Sequence, residues 1–127
     1  MGLTKVAATL TSFDAGAGVY EGRFLVDTGA SDCMAPADAL RAIGVTEIGR
    51  MRYELADGAV RDFAYGLVRI EFMGEVTAGR VIFGDPGTEP ILGVTALESV
   101  GIMVDPANQT LKRLPAIPLK RFHAVGR

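Results

Sequence analysis

The stretch Gly22–Pro36, GRFLVDTGASDCMAP, decides how this chain is read. Phe24, Leu25 and Val26 form an apolar run suited to a buried strand, and the run ends directly on a carboxylate, Asp27. An acid at the end of an apolar strand is poorly hydrated. Thr28 can hydrogen-bond locally, and Ser31 lies near enough to satisfy an outer carboxylate oxygen. Gly29 lets the backbone turn tightly and lets another chain come close. Such a segment holds one carboxylate rigid and open to a substrate. D-T-G alone reads equally well as an Asp capping a turn, so the rest of the chain has to decide.

Outward from this stretch the sequence is mostly short strands between Gly, Pro and Asp punctuation. Leu3–Ser12 is β-like, with Val6, Ala8 and Leu10 on one face; Asp14–Gly18 turns the chain; Val19–Val26 is a second strand. Pro36–Gly44 predicts a short helix, with Pro at its start, Leu40 and Ile43 at helical spacing and Gly44 as its stop. Asp57-Gly58 marks a hairpin between two β-like runs. Val68, Ile70 and Phe72 alternate with Leu67, Arg69, Glu71 and Met73, a half-buried strand that turns at Met73-Gly74-Glu75 into a strand over Val76–Phe83. Ile91-Leu92 is a short apolar strand closed by Gly93, Thr95–Val100 has helical spacing, and Ile102–Val104 and Thr110–Leu114 are strands around a DPANQ turn. Strands that do not alternate with long helices predict an all-β, barrel-like domain with one or two short helices. It is expected over residues 1–114, with a C-terminal tail at 115–127.

Bulk composition removes several function classes. The 127 residues fit one domain, 49% of them apolar, with six Phe, three Tyr and no Trp, so aliphatic side chains must fill the core. Surplus apolar surface is expected at a subunit interface. Thirteen basic against 15 acidic residues leave a net charge of −2, which argues against nucleic acid as a partner. Lys112, Arg113, Lys120, Arg121 and Arg127 are sparse and read as a solvated tail. Cys33 is the only cysteine, so no internal disulfide exists; it reads as a small buried hydrophobe, not a nucleophile, since the only His is His123 in the tail. Met1–Leu10 lacks the apolar core of a signal peptide and no run reaches the length of a membrane helix, so a cytoplasmic protein without a membrane segment is expected. No metal-ligand spacing is present, and Gly16, Gly18 and Gly22 do not match a dinucleotide fingerprint, so no cofactor is expected. A strand followed by Asp-x-Gly also opens the phosphate loop of actin-like kinases, but that fold needs two large α/β lobes.

Three features stand in order along the chain: FLVDTGAS at Phe24–Ser31, the Asp57-Gly58 hairpin flanked by Tyr53, Leu55, Val60 and Phe63, and PILGVTAL at Pro90–Leu97. In this order and at this spacing they resemble the retropepsin-like aspartic proteases, over about Val6 to Leu114. The resemblance implies a closed β-barrel with a flap hairpin, acting as an aspartic endopeptidase on peptide or protein substrates. Asp27 would be the catalytic carboxylate, in an active-site loop of Thr28, Gly29, Ala30 and Ser31. Ala56, Asp57 and Gly58 would form the tip of the flap, and Ile91, Leu92 and Gly93 the motif packed behind the active-site loop. Ala30, Ile91 and Val94 would give the cleft apolar pockets.

The chemistry needs two carboxylates sharing one proton. The chain has a single D-T-G; Asp14, Asp85 and Asp105 sit in turn sequences. The second acid is therefore expected to be Asp27 of another copy, brought in by a two-fold homodimer. Many retroviral members pair an acid after the triplet with an Arg after the hydrophobic-Gly motif; here Ser31 and Val94 occupy those places, so neither charge is present. The alternative is a catalytically silent dimerisation or peptide-binding module on the same fold.

Overall fold

Residues 4–14 and 18–119 are described by the structure, a computed structural model. The apolar alternation of the first two strands folds them into a hairpin. β1 (Lys5–Thr11) pairs antiparallel with β2 (Val19–Asp27), and Ala8, Leu10 and Phe24 point inward and are buried. β3 (Cys33–Pro36) follows and runs into α1 (Ala37–Ala42), whose Leu40 is fully buried. β4 (Gly49–Glu54) and the long β5 (Val60–Phe72) form a hairpin, and β5 turns into β6 (Glu75–Gly84). β7 (Ile91–Gly93) leads directly into α2 (Val94–Ser99), and β8 (Ile102–Asp105) and β9 (Thr110–Arg113) make a separate two-stranded sheet.

The main sheet runs β1-β2-β7-β3-β6-β5-β4, and β1 also pairs with β5, which closes six strands into a barrel with β4 outside the ring. Inward residues from every wall fill it: Leu10, Phe24, Val68, Ile70, Val81 and Leu92, joined by Leu97 of α2 and Ile102 of β8. The aliphatic core expected from composition is what closes the ring, and no disulfide is involved: Cys33 is buried and unpaired. Val68, Ile70 and Phe72 face the core while Leu67 stays exposed, as the alternation requires.

Local chemistry sets the turns. Met73 and Gly74 both have positive φ, the two-residue turn that suits the right-handed twist of paired strands. The Asp57-Gly58 hairpin sits where expected and is built unlike the Met73-Gly74 turn. Gly58 N–H bonds to the Leu55 carbonyl at 2.9 Å, Leu55 N–H to the Ala59 carbonyl at 2.7 Å, and only Gly58 has positive φ. This is a type I turn followed by a glycine bulge, and Asp57 contributes by accepting the Ala59 N–H through Oδ1 at 2.9 Å.

Two features depart from the sequence reading. β3 was not foreseen; four residues ending in Pro36 carry too little alternation to announce a strand. Arg113 is not a free tail charge: it pairs with Glu75 and donates to the Met73 carbonyl, fastening β9 to the β5–β6 turn. Lys120, Arg121, Arg127 and His123 lie outside the described residues. Ile117, by contrast, lies against Gly101, where a Cβ would sit 2.7 Å from its side chain.

Candidate active site

Asp27 is the last residue of β2, and its position is fixed by pairing on one side and close packing behind. β2 pairs in parallel with β7, matching Leu25 to Ile91, Val26 to Leu92 and Asp27 to Gly93. β7 in turn touches β3 through Ile91 and Met34. The short Ile91-Leu92-Gly93 strand is therefore inserted between the two ends of the Asp27 loop. Gly93 is required by this insertion. A Cβ there would lie 2.5 Å from the Asp32 carbonyl oxygen and 2.8 Å from that of Ser31. The loop is also held by the start of α2: Val94 N–H donates to the Ala30 carbonyl at 2.8 Å and Thr95 N–H to the Ser31 carbonyl at 3.2 Å.

Within the loop, Asp27 organises its own turn. Its Oδ1 accepts the Gly29 N–H at 2.9 Å and its carbonyl accepts the Ala30 N–H at 3.1 Å. The carboxylate is half-buried, and Oδ2 has no hydrogen-bond partner among the described residues. Ser31 does not fill that place; its hydroxyl and that of the exposed Thr28 make no hydrogen bond among the described residues. The turn-capping and solvent-facing readings of D-T-G thus coexist, one on each carboxylate oxygen.

The loop and the β4–β5 hairpin, far apart in sequence, face each other across one cleft of about 670 Å³. Asp27, Gly29, Ala30, Ser31 and Asp32 line one wall, and Arg52, Tyr53, Glu54, Leu55 and Ala56 line the other. Met34, Phe63, Ile82 and Ile91 give it an apolar floor. Asp57 and Gly58 lie at the exposed hairpin tip beyond Ala56. Of the three residues expected to supply apolar pockets, Ala30 and Ile91 line the cleft, but Val94 does not. Val94 lies in a neighbouring, mostly apolar surface hollow with Thr28, Leu97, Glu98, Ile102, Met103, Val104 and Pro106.

Sequence reasoning missed the contact that joins the two walls. Tyr53 Oη donates to Asp32 Oδ2 at 2.6 Å. Burial, with the Asp32 carboxylate beside it, pushes the Tyr53 phenol up to about 12, while the nearby Arg80 guanidinium pulls the other way. The phenol therefore stays protonated and remains a donor. Alternation in β4 was the available signal: Met51, Tyr53 and Leu55 share the inward side while Arg52 and Glu54 are exposed. What the sequence could not supply was the distant acceptor. Next to Asp32, burial pushes the Cys33 thiol up to about 11, which makes it a packed hydrophobe and not a nucleophile.

An all-β barrel, a D-T-G loop braced by a strand-Gly insertion, and a hairpin over the resulting cleft define the architecture of an aspartic protease. A sequence model of an aspartyl protease family matches residues 12–96. The chain belongs to that family, in the retropepsin-like clan. Membership supports a protease-like function and peptides as substrates. A search of curated proteins returned no match to the sequence. No helix among the described residues is long and apolar enough to cross a membrane.

Proposed function

We propose that this protein is a homodimeric aspartic endopeptidase whose active site is completed by Asp27 of a second copy. The observation that carries the reading is the setting of Asp27: a braced carboxylate, one oxygen unengaged, facing a cleft roofed by a hairpin. Besides Asp27 the cleft is lined by two acids, Asp32, which already accepts from Tyr53, and Glu54, which sits on the opposite, hairpin wall; neither stands in a second D-T-G loop. The exposed Thr28 and the apolar hollow of Val94, Leu97, Met103 and Val104 beside it give a second copy somewhere to seat.

In the proposed reaction one Asp27 is ionised and the other protonated, because like charges about 3 Å apart resist double ionisation. The ionised carboxylate takes a proton from water as its oxygen attacks the peptide carbonyl carbon. The protonated carboxylate gives its proton to the carbonyl oxygen. Collapse of the resulting diol breaks the C–N bond, the departing amine takes up a proton, and the shared proton is restored to the pair. The Asp57-Gly58 hairpin acts as the flap that closes over bound peptide. A cytoplasmic setting belongs to the same proposal and rests on the unpaired Cys33.

The test is peptide cleavage by wild type and Asp27→Asn. Asn keeps the acceptor for the Gly29 N–H but cannot act as a base, so cleavage is expected to fall by about 10³-fold or more, with the dimer intact by sedimentation. Specific activity of the wild type should drop on dilution as dimers dissociate. Equal cleavage by Asp27→Asn would sink the protease reading. So would a wild type that cleaves no member of a mixed peptide library between about pH 3 and 7, the range in which such pairs titrate; a dimer that then still binds peptide would mark the silent module instead. Activity independent of dilution would remove the shared dyad.

A further inference from the structure

Among the described residues a single side-chain hydrogen bond crosses the cleft, and its two ends are unusually well supported. At one end, the backbone of Ser31 and Asp32 is pressed against Gly93 with no room for a Cβ between them. Asp32 therefore presents its carboxylate from a fixed base. At the other end, Tyr53 lies four residues before Asp57 on the strand that leads to the hairpin tip. Its ring packs edge-on against Phe63 of the paired strand, with centroids 6.2 Å apart. Behind it, Arg80 of β6 stacks over Tyr65 at 4.3 Å and reaches Met51 Sδ at 3.5 Å. The inward side of the hairpin base is thus packed by β6 from below. The 2.6 Å phenol–carboxylate distance is that of a charge-assisted bond.

Above the bond, nothing comparable holds the hairpin. Among the described residues Leu55–Ala59 is closed only by its own turn bonds and by Asp57, and Ala56–Ala59 are exposed. The Tyr53–Asp32 bond is the last tie to the loop wall before the tip begins.

We propose that Tyr53 and Asp32 form a latch in which Tyr53 is a positioning residue: it ties the strand leading to the flap to the segment just after the Asp27 loop, and so sets the height of the flap over the cleft. The inference rests on the protease reading for its kinetic consequence, not for its structural one. A flap held at the right height before substrate arrives spends less ordering entropy on binding. Because the flap covers substrate and transition state alike, loss of the latch should weaken both together and appear in KM more than in kcat.

The experiment compares Tyr53→Phe, Asp32→Ala, Asp32→Asn and the double variant Tyr53→Phe/Asp32→Ala with wild type. The readouts are steady-state cleavage of a peptide and amide hydrogen exchange at residues 55–59. Tyr53→Phe keeps the ring on Phe63 and removes only the hydroxyl. It and Asp32→Ala should each raise KM about three- to tenfold with kcat within about twofold, and speed exchange at 55–59. Asp32→Asn retains an acceptor oxygen and should recover most of both effects. The double variant should be no worse than either single one, since both remove the same bond. Wild-type KM and exchange in Tyr53→Phe would overturn the latch, as would full additivity in the double variant. A collapse of kcat with unchanged exchange would also overturn it, since Tyr53 would then act on the reacting atoms. Exchange needs no substrate, so it tests the latch even if wild type cleaves nothing, and the two readings can fail separately.

Discussion

The two walls of the cleft are made by opposite means. The Asp27 loop is irregular chain, yet it is held by parallel pairing to β7, by two hydrogen bonds from α2 and by a glycine that admits its backbone to within van der Waals contact. The β4–β5 hairpin is regular structure, yet its tip touches little beyond itself: a Cβ at Gly58 would meet nothing within 4 Å. Regularity is therefore a poor guide to rigidity here. Density of long-range contact decides it, and the contact is concentrated beneath the acid and, past the Tyr53–Asp32 bond, sparse above it.

That contrast can be broken from either side. The largest effect is expected at Gly93. Gly93→Ala forces a methyl against the Asp32 carbonyl, and the strand must separate from the loop. A global loss of about 3 kcal/mol is expected, read as a lower urea midpoint, and with it loss of protection at the amides of Gly29 and Ala30. A wild-type midpoint would show that the loop is not braced as described. On the other wall, Gly58→Ala puts a side chain at φ +87, a conformation that costs roughly 1–2 kcal/mol without glycine. The strain should be confined to the hairpin. Exchange at residues 55–59 should quicken while the amides of the barrel keep their protection; loss of the barrel's own protection in step would show the two regions to be one cooperative unit.

The smallest effect lies where the walls meet. Folding raises the Tyr53 phenol from its ordinary value near 10 to about 12. The folded chain keeps a proton that the unfolded chain gives up, so this contribution is complete below about pH 10 and drains away as pH rises toward 12. The urea midpoint of wild type should fall more steeply across that window than that of Tyr53→Phe. Parallel slopes would place the phenol in an environment unlike the one described.

How much of this was legible in the chain depends on range. FLVD could be read as a strand ending on an acid because apolar patterning is local, and Asp57-Gly58 as a turn because glycine and Asp impose it within four residues. The number and spacing of the strands gave an all-β, barrel-like domain, and the family resemblance supplied its closure. The parallel match of Asp27 to Gly93 spans more than half the chain and leaves no periodic trace, so from residues alone Gly93 announces only a break. It took the family's pattern to give that position a role. Tyr53 and Asp32 were both visible, but a hydrogen bond from a strand to a loop 21 residues away has no sequence signature. The hairpin turn was legible in place but not in type, which the φ values settle: Asp57 leaves the left-handed position to Gly58 alone.

β5 has one more consequence. Val60–Tyr65 pairs with β4 and Tyr65–Phe72 with β6, so the two sets of partners overlap only at Tyr65. A single continuous strand of 13 residues thus runs from the hairpin into the barrel wall with no break between them. Mechanically it is a lever with its fulcrum at Tyr65: about 20 Å of arm on the hairpin side and a similar length paired with β6, where Arg69–Phe72 is also held by β1. Displacement at the tip must be borne as torque by the barrel, and substitutions buried in that wall, at Val68 or Ile70, should be felt at the far end of the arm.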